Sequence, residues 1–133
     1  MRKEFDDVQS NFRRGVLQLV ILSLLRREDM YGYQMVQETA RISNGRMTTQ
    51  EGSLYPILYR LEDEGYISSG RIQVGKRMTR VYYHLEPAGE QRMQELTADY
   101  RSLTQGVMEI IASGEDAVKA KEPEVACHEN VGN

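Results

Sequence analysis

Apolar positions recur along most of this chain with a spacing that changes from helical to alternating and back again. Leu17, Val20, Ile21, Leu24 and Leu25 are three and four residues apart, which places them on one stripe of a helix over residues 14–27. Upstream, Phe5, Val8 and Phe12 keep the same spacing and predict a helical extension or an amphipathic arm able to dock on a partner. A second helix is predicted over 31–42, with Met35, Val36, Thr39 and Ile42 inward, ended by Ser43-Asn44-Gly45. Leu54, Ile57, Leu58 and Leu61 define a third helix over 50–64, with Gly65 as its stop. Pro56 has no amide hydrogen, so it is expected in the first turn or two of that helix.

The period then changes to two. Residues 66–74 and 79–86 are β-forming, with Val81, Tyr83 and Leu85 alternating against Arg80, Tyr82 and His84, and Gly75-Lys76-Arg77-Met78 forms a hairpin tip. A fourth helix follows over 87–113, with Pro87 in its first turn. Met93, Leu96, Tyr100, Leu103, Val107 and Ile110 mark a heptad seam on it. Residues 114–133, rich in Glu, Lys and Ala, are expected to be mostly disordered. No internal repeat is visible.

Composition narrows the class. The 133 residues are 40% hydrophobic and 28% charged, enough for one core of ordinary size. The longest apolar patch, Val16 to Leu25, is interrupted by Gln18 and Ser23 and is too short for a membrane span. The start, Met1-Arg2-Lys3-Glu4-Phe5-Asp6-Asp7, turns acidic where a secretory signal turns apolar, so a cytoplasmic location without a membrane partner is expected. Cys127 is the single cysteine and cannot close an internal disulfide. Cys127-His128 is too small a set for a metal, and two histidines without a phosphate-binding glycine loop leave catalysis without its parts. Neither cofactor nor enzymatic activity is expected.

The formal net charge of -3 weighs against a nucleic-acid partner until its distribution is considered. Residues 1–43 carry seven basic and six acidic groups, 44–85 six and four, and 86–133 four and ten. The acidity is C-terminal, which leaves the hairpin region free to present a local basic surface.

Three helices, a hairpin and a long helix form a mostly α layout with a small β-hairpin, that of a winged helix-turn-helix. In this layout one helix enters the DNA major groove and the hairpin touches the backbone. The expected division is residues 1–86 for DNA binding, 87–113 for dimerisation and 114–133 for the tail. With its leucines inward, the third helix presents Ser53, Tyr55, Pro56, Tyr59 and Arg60 as candidate DNA contacts. Lys76 and Arg77 at the hairpin tip are candidate phosphate contacts. Each also has a plainer reading, the tyrosines as half-buried packing and the tip cations as a solvated turn. Tyr31 and Tyr33 are expected to set helix packing, with Gly32 allowing close approach. A helix of about 25 residues is roughly 37 Å long, more than the small domain can cover, so the seam is assigned to a homodimer with Phe5, Val8 and Phe12 as further contacts. A winged module that holds a protein and binds no DNA is the competing reading.

Four stretches give the chain a resemblance to the PadR family of transcriptional regulators: Arg14-Gly15-Val16-Leu17, Tyr31-Gly32-Tyr33-Gln34, Gly52 through Ile67 beginning Gly-Ser-Leu-Tyr-Pro, and Tyr82-Tyr83-His84-Leu85. The resemblance implies a winged-helix repressor whose third helix reads double-stranded DNA, whose C-terminal helix makes the dimer, and which in many members answers to a small-molecule effector. A pseudo-palindromic operator follows, with reading helices about 34 Å apart. An effector entering between the C-terminal and first helices would act by preferring one spacing. The chain departs from the family where Gln34 replaces a frequent Glu, Ser53 a Thr, and Glu86 a Thr that would cap the last helix. It has no tryptophan, which counts against the mode of sensing in which some relatives stack planar ligands on an aromatic platform at the dimer interface.

Overall fold

The stripe containing Leu17, Ile21, Leu24 and Leu25 forms the inner face of a helix in the computed structural model, which describes residues 16–121. This helix, α1, includes residues 16–27. Leu22 is also fully buried, so the buried face is wider than the predicted stripe. The chain continues through β1 (Met30–Tyr31), α2 (Gly32–Ile42), α3 (Glu51–Asp63), β2 (Ile67–Gln73), β3 (Thr79–Leu85) and α4 (Pro87–Lys121). Phe5, Val8, Phe12, Cys127 and His128 lie outside the described residues.

The three strands form an antiparallel sheet in the order β1-β3-β2. The hairpin was expected, whereas β1 was not. Two residues are too few to show a period, but pairing Met30 with Tyr83 puts both side chains in the core. Alternation along β3 follows the predicted parity, with Tyr83 buried and Arg80, Tyr82 and His84 leaving the opposite face.

Local signals fix the helix ends. At the close of α3, Gly65 has φ +82°, Tyr66 N donates to Leu61 O at 3.0 Å and Gly65 N to Glu62 O at 3.0 Å. These are the paired bonds of a Schellman cap. Asn44 (φ 54°) plays the same part after α2, where Gly45 N donates to Ala40 O at 2.8 Å. Gln34 meets the start of α2 by accepting from Tyr31 N at 3.4 Å while its amide donates to Glu28 at 3.3 Å. The glutamate frequent at this position in the family could accept but could not donate. Pro56 falls in the second turn of α3 on its exposed side, where the carbonyl it leaves unpaired, that of exposed Gly52, is open to water.

The described residues divide into two compact units, 16–97 and 98–121. Leu54, Leu58 and Leu61 of α3 pack with α1, Met30, Met35, Ile67 and Tyr83 into the core of the first unit. The core also takes Met93, 5% exposed, with Leu96 against it. The first turns of α4 thus join the core of the winged unit, past residue 86 where that unit was expected to end, and Met93, expected on the dimer seam, is buried in its own chain's core. Ile42, expected inward, is exposed. Glu86 does not cap α4 with its side chain; its carboxylate accepts from Ser68 Oγ at 2.6 Å across to β2.

The helix also passes the expected end at residue 113 and continues to Lys121. A single Gly114 costs a helix about 1 kcal/mol, and the alanines and lysines after it restore the propensity. In the second unit, Tyr100, Leu103, Val107 and Ile110 are all exposed, Leu103 at 69% and Ile110 at 73%. No helix of the described residues is long and apolar enough to cross a membrane.

Candidate nucleic-acid interface

Burying Leu54, Ile57, Leu58 and Leu61 turns the rest of α3 outward. Ser53, Pro56, Tyr59 and Arg60 are exposed, with Tyr59 at 62%, and Tyr55 is half-buried on the flank toward the sheet. Tyr55 and Tyr59, one turn apart, have ring centroids 6.1 Å apart. Arg60 lies on the other flank, where it borders a cavity of about 90 Å3 with Gln18, Ile57 and Leu61.

A groove of about 740 Å3 runs between α3, the start of α2 and the sheet. Five of the eight tyrosines line it, Tyr31, Tyr33, Tyr55, Tyr59 and Tyr83. Gly32 lets Tyr55 close in from α3, because a Cβ on Gly32 would run into its ring. Tyr55 Oη donates to Glu51 Oε2 at 3.1 Å, and Ser69 Oγ donates to Glu62 Oε2 at 2.6 Å. Burial raises the Tyr55 hydroxyl above its ordinary pKa, and the bond to Glu51 adds to the shift. Tyr83 is pushed up to about 12, first by burial and then by Tyr55, Tyr59 and Glu62. Both therefore stay neutral donors at physiological pH.

Lys76 and Arg77 are exposed in the turn between the strands, which is closed by Val74 N donating to Met78 O at 2.9 Å. Gln73 Nε2 stiffens the turn by donating to Gly75 O at 2.9 Å. Of the sequence-predicted residues, only Tyr55 and Tyr59 line the groove, while Ser53, Pro56, Arg60, Lys76 and Arg77 lie elsewhere on the surface. The sequence reading missed Glu51, Arg71 and Arg80 at this site, and Tyr33, expected to set helix packing, is 51% exposed. Strand parity could have flagged Arg71, which shares a face with Val81 and Tyr83. On the outer side of β3, His84 Nδ1 and Asp29 Oδ1 are 2.8 Å apart, and this bond raises the pKa of the imidazole.

A helical core, an exposed polar helix face beside a three-stranded sheet with a cationic turn, and a long last helix define a winged-helix protein. Comparison with known proteins makes the assignment narrower. The model of the transcriptional regulator PadR-like family matches residues 21–95, and the chain belongs to that family. A transcriptional regulator of Mycobacterium tuberculosis is 33% identical over 100 residues, 75% of this chain and 87% of that protein. The crystal structure of a PadR family regulator from Eggerthella lenta is similar with a TM-score of 0.68 and 31% identity, covering 82% of this chain and 96% of the other. Bacillus subtilis PadR in complex with operator DNA is similar with a TM-score of 0.58 and 27% identity, covering 62% of this chain and 45% of that one.

Proposed function

We propose that this regulator binds double-stranded DNA as a homodimer and represses transcription from a pseudo-palindromic operator. The observation that carries the reading is the exposed face of α3. Ser53, Tyr59 and Arg60 offer donors and acceptors opposite a leucine face fixed in the core. Tyr55 and Pro56 extend this surface, while Lys76 and Arg77 at the wing tip contact phosphates, which sets position and affinity more than sequence preference. The similarity to the Bacillus subtilis complex with operator DNA supports the same assignment.

Dimerisation rests on residues 98–121. A lone helix in water has little reason to hold its form while Tyr100, Leu103, Val107 and Ile110 stand exposed beside Met108 and Ile111. A second copy of the chain supplies the missing apolar surface, and Leu96 closes the seam toward the winged unit. A dimer reads two half-sites, so the operator mirrors its twofold axis. An effector releases it only by preferring one spacing of the two readers.

Selection of duplexes from a randomised pool tests the reading. An inverted repeat is expected, with half-site centres about 10 base pairs, or a multiple of that, apart. Failure to enrich any sequence, with only weak and uniform binding, would favour a winged module that holds a protein partner.

A further inference from the structure

The groove beside α3 holds two cations that the wing-tip assignment leaves out. Arg71 of β2 and Arg80 of β3 leave opposite faces of the hairpin, since Arg71 pairs with Val81 and Arg80 with Ile72, yet both line the groove. The Arg80 Cζ lies 4.2 Å from the centroid of the Tyr31 ring, which is itself held edge-on to Tyr82 with centroids 5.4 Å apart. Stacking occupies the flat face of a guanidinium and leaves its in-plane N–H groups free to bond an acceptor.

Among the described residues, neither Arg71 nor Arg80 has a carboxylate oxygen within 4.0 Å. The two carboxylates of the groove, Glu51 and Glu62, are already acceptors for Tyr55 and Ser69. A guanidinium that meets no carboxylate among the described residues, in a groove shared with Tyr33 and Tyr59, suits a phosphodiester oxygen, the anionic acceptor that every step of a duplex presents.

We propose that the DNA-binding surface continues from the wing tip into this groove, with Arg71 and Arg80 as ligands of backbone phosphates and Tyr31 as the residue that positions Arg80. The proposal rests on the DNA-binding reading above and enlarges its contact surface. Because guanidiniums and carboxylates are equal in number along the groove, the two arginines act by direct contact and add little long-range attraction.

The test uses the duplex that the wild-type chain enriches from a randomised pool, titrated by fluorescence anisotropy across a range of salt. Arg71→Ala and Arg80→Ala are each expected to weaken binding about tenfold and to lower the slope of log affinity against log salt by about one, without changing the preferred sequence. Arg80→Lys should restore much of the slope. Tyr31→Leu should weaken binding less, and in combination with Arg80→Ala should add little to the single loss, because the ring acts through that guanidinium. If the wild type binds its duplex and both alanine variants keep wild-type affinity and slope, the groove assignment is overturned and the DNA-binding reading stands. Additive losses for Tyr31→Leu and Arg80→Ala would remove Tyr31 from the positioning role. If the wild type enriches no duplex, the DNA-binding reading fails and this proposal falls with it.

Discussion

A Cβ built on Gly32 would stand 2.5 Å from the hydroxyl oxygen of Tyr55 and 2.9 Å from its Cζ. The start of α2 and the flank of α3 are therefore matched through a missing methyl group, and the tyrosine's place in the groove depends on that absence. Gly32→Ala is expected to displace the Tyr55 ring, lower stability by about 1 kcal/mol and reduce affinity for the enriched duplex. The stability loss is held low by the better helix propensity of alanine and by the freedom of a ring tip to swing. At Gly89 the obstacle is backbone, since a Cβ there would collide with the Tyr66 carbonyl oxygen. Gly89→Ala is expected to cost more, about 2–3 kcal/mol. Denaturant unfolding of the two variants ranks them, and a Gly89→Ala chain as stable as wild type would contradict the packing described.

Met93 and Leu103 occupy the same heptad seam in sequence and different surroundings in the structure. Met93→Ala opens a hole in the winged unit's core and is expected to cost about 2–4 kcal/mol without changing the tendency of folded chains to associate. Leu103→Asp removes nothing from that core and puts a charge on the exposed stripe. It is expected to leave the winged unit folded and shift the chain to monomer in sedimentation velocity. A Leu103→Asp variant that sediments like wild type would exclude this stripe as the dimer contact.

The His84–Asp29 bond makes a small pH-dependent contribution. The folded imidazole has its pKa raised, chiefly by its hydrogen bond to Asp29 and then by that carboxylate's charge. A raised histidine pKa stabilises the fold below the unfolded value near 6.5, and the benefit is lost as pH rises through the folded value. Both side chains are more than half exposed, so solvent screening limits the effect to a few tenths of a kcal/mol. NMR titration of His84 is expected to give a pKa above that of a model histidine, falling toward it in Asp29→Asn. The stability difference between the two chains should be larger at about pH 5.5 than at about pH 8.5. An unchanged His84 titration in Asp29→Asn would show that the pair does not form in solution.

Much of this architecture can be read along the chain because its signals are local. Leu54, Ile57, Leu58 and Leu61 define α3 by spacing alone, and Gly65 ends it because its backbone is left-handed. What spacing cannot say is whose surface a stripe covers. Met93 and Leu103 have equal standing in the heptad, and only the folded chain shows Met93 inside its own core. The strand Met30–Tyr31 is too short for any period, and its existence depends on a partner more than fifty residues away.

The candidate site divides the same way. Ser53, Pro56, Tyr59 and Arg60 were legible as the reverse of a leucine stripe, and Lys76 and Arg77 as a basic turn. The groove was not, because Tyr31, Arg71 and Arg80 come together only once β1 has joined the hairpin. The extension of α4 to Lys121 escaped notice for a different reason, since Ser113-Gly114 has the composition of a stop and lacks the strength of one.

The central claim, that this regulator acts by binding DNA through α3 and the wing, is tested most directly with the purified chain. Its binding to DNA from upstream of its own coding region should be compared with binding to an unrelated duplex at a low and a high salt concentration. The account predicts tight binding to one or more upstream segments, weaker binding to the unrelated duplex, and a steep loss of both as salt rises. Equal affinity for the two DNAs, unchanged by salt, would contradict it.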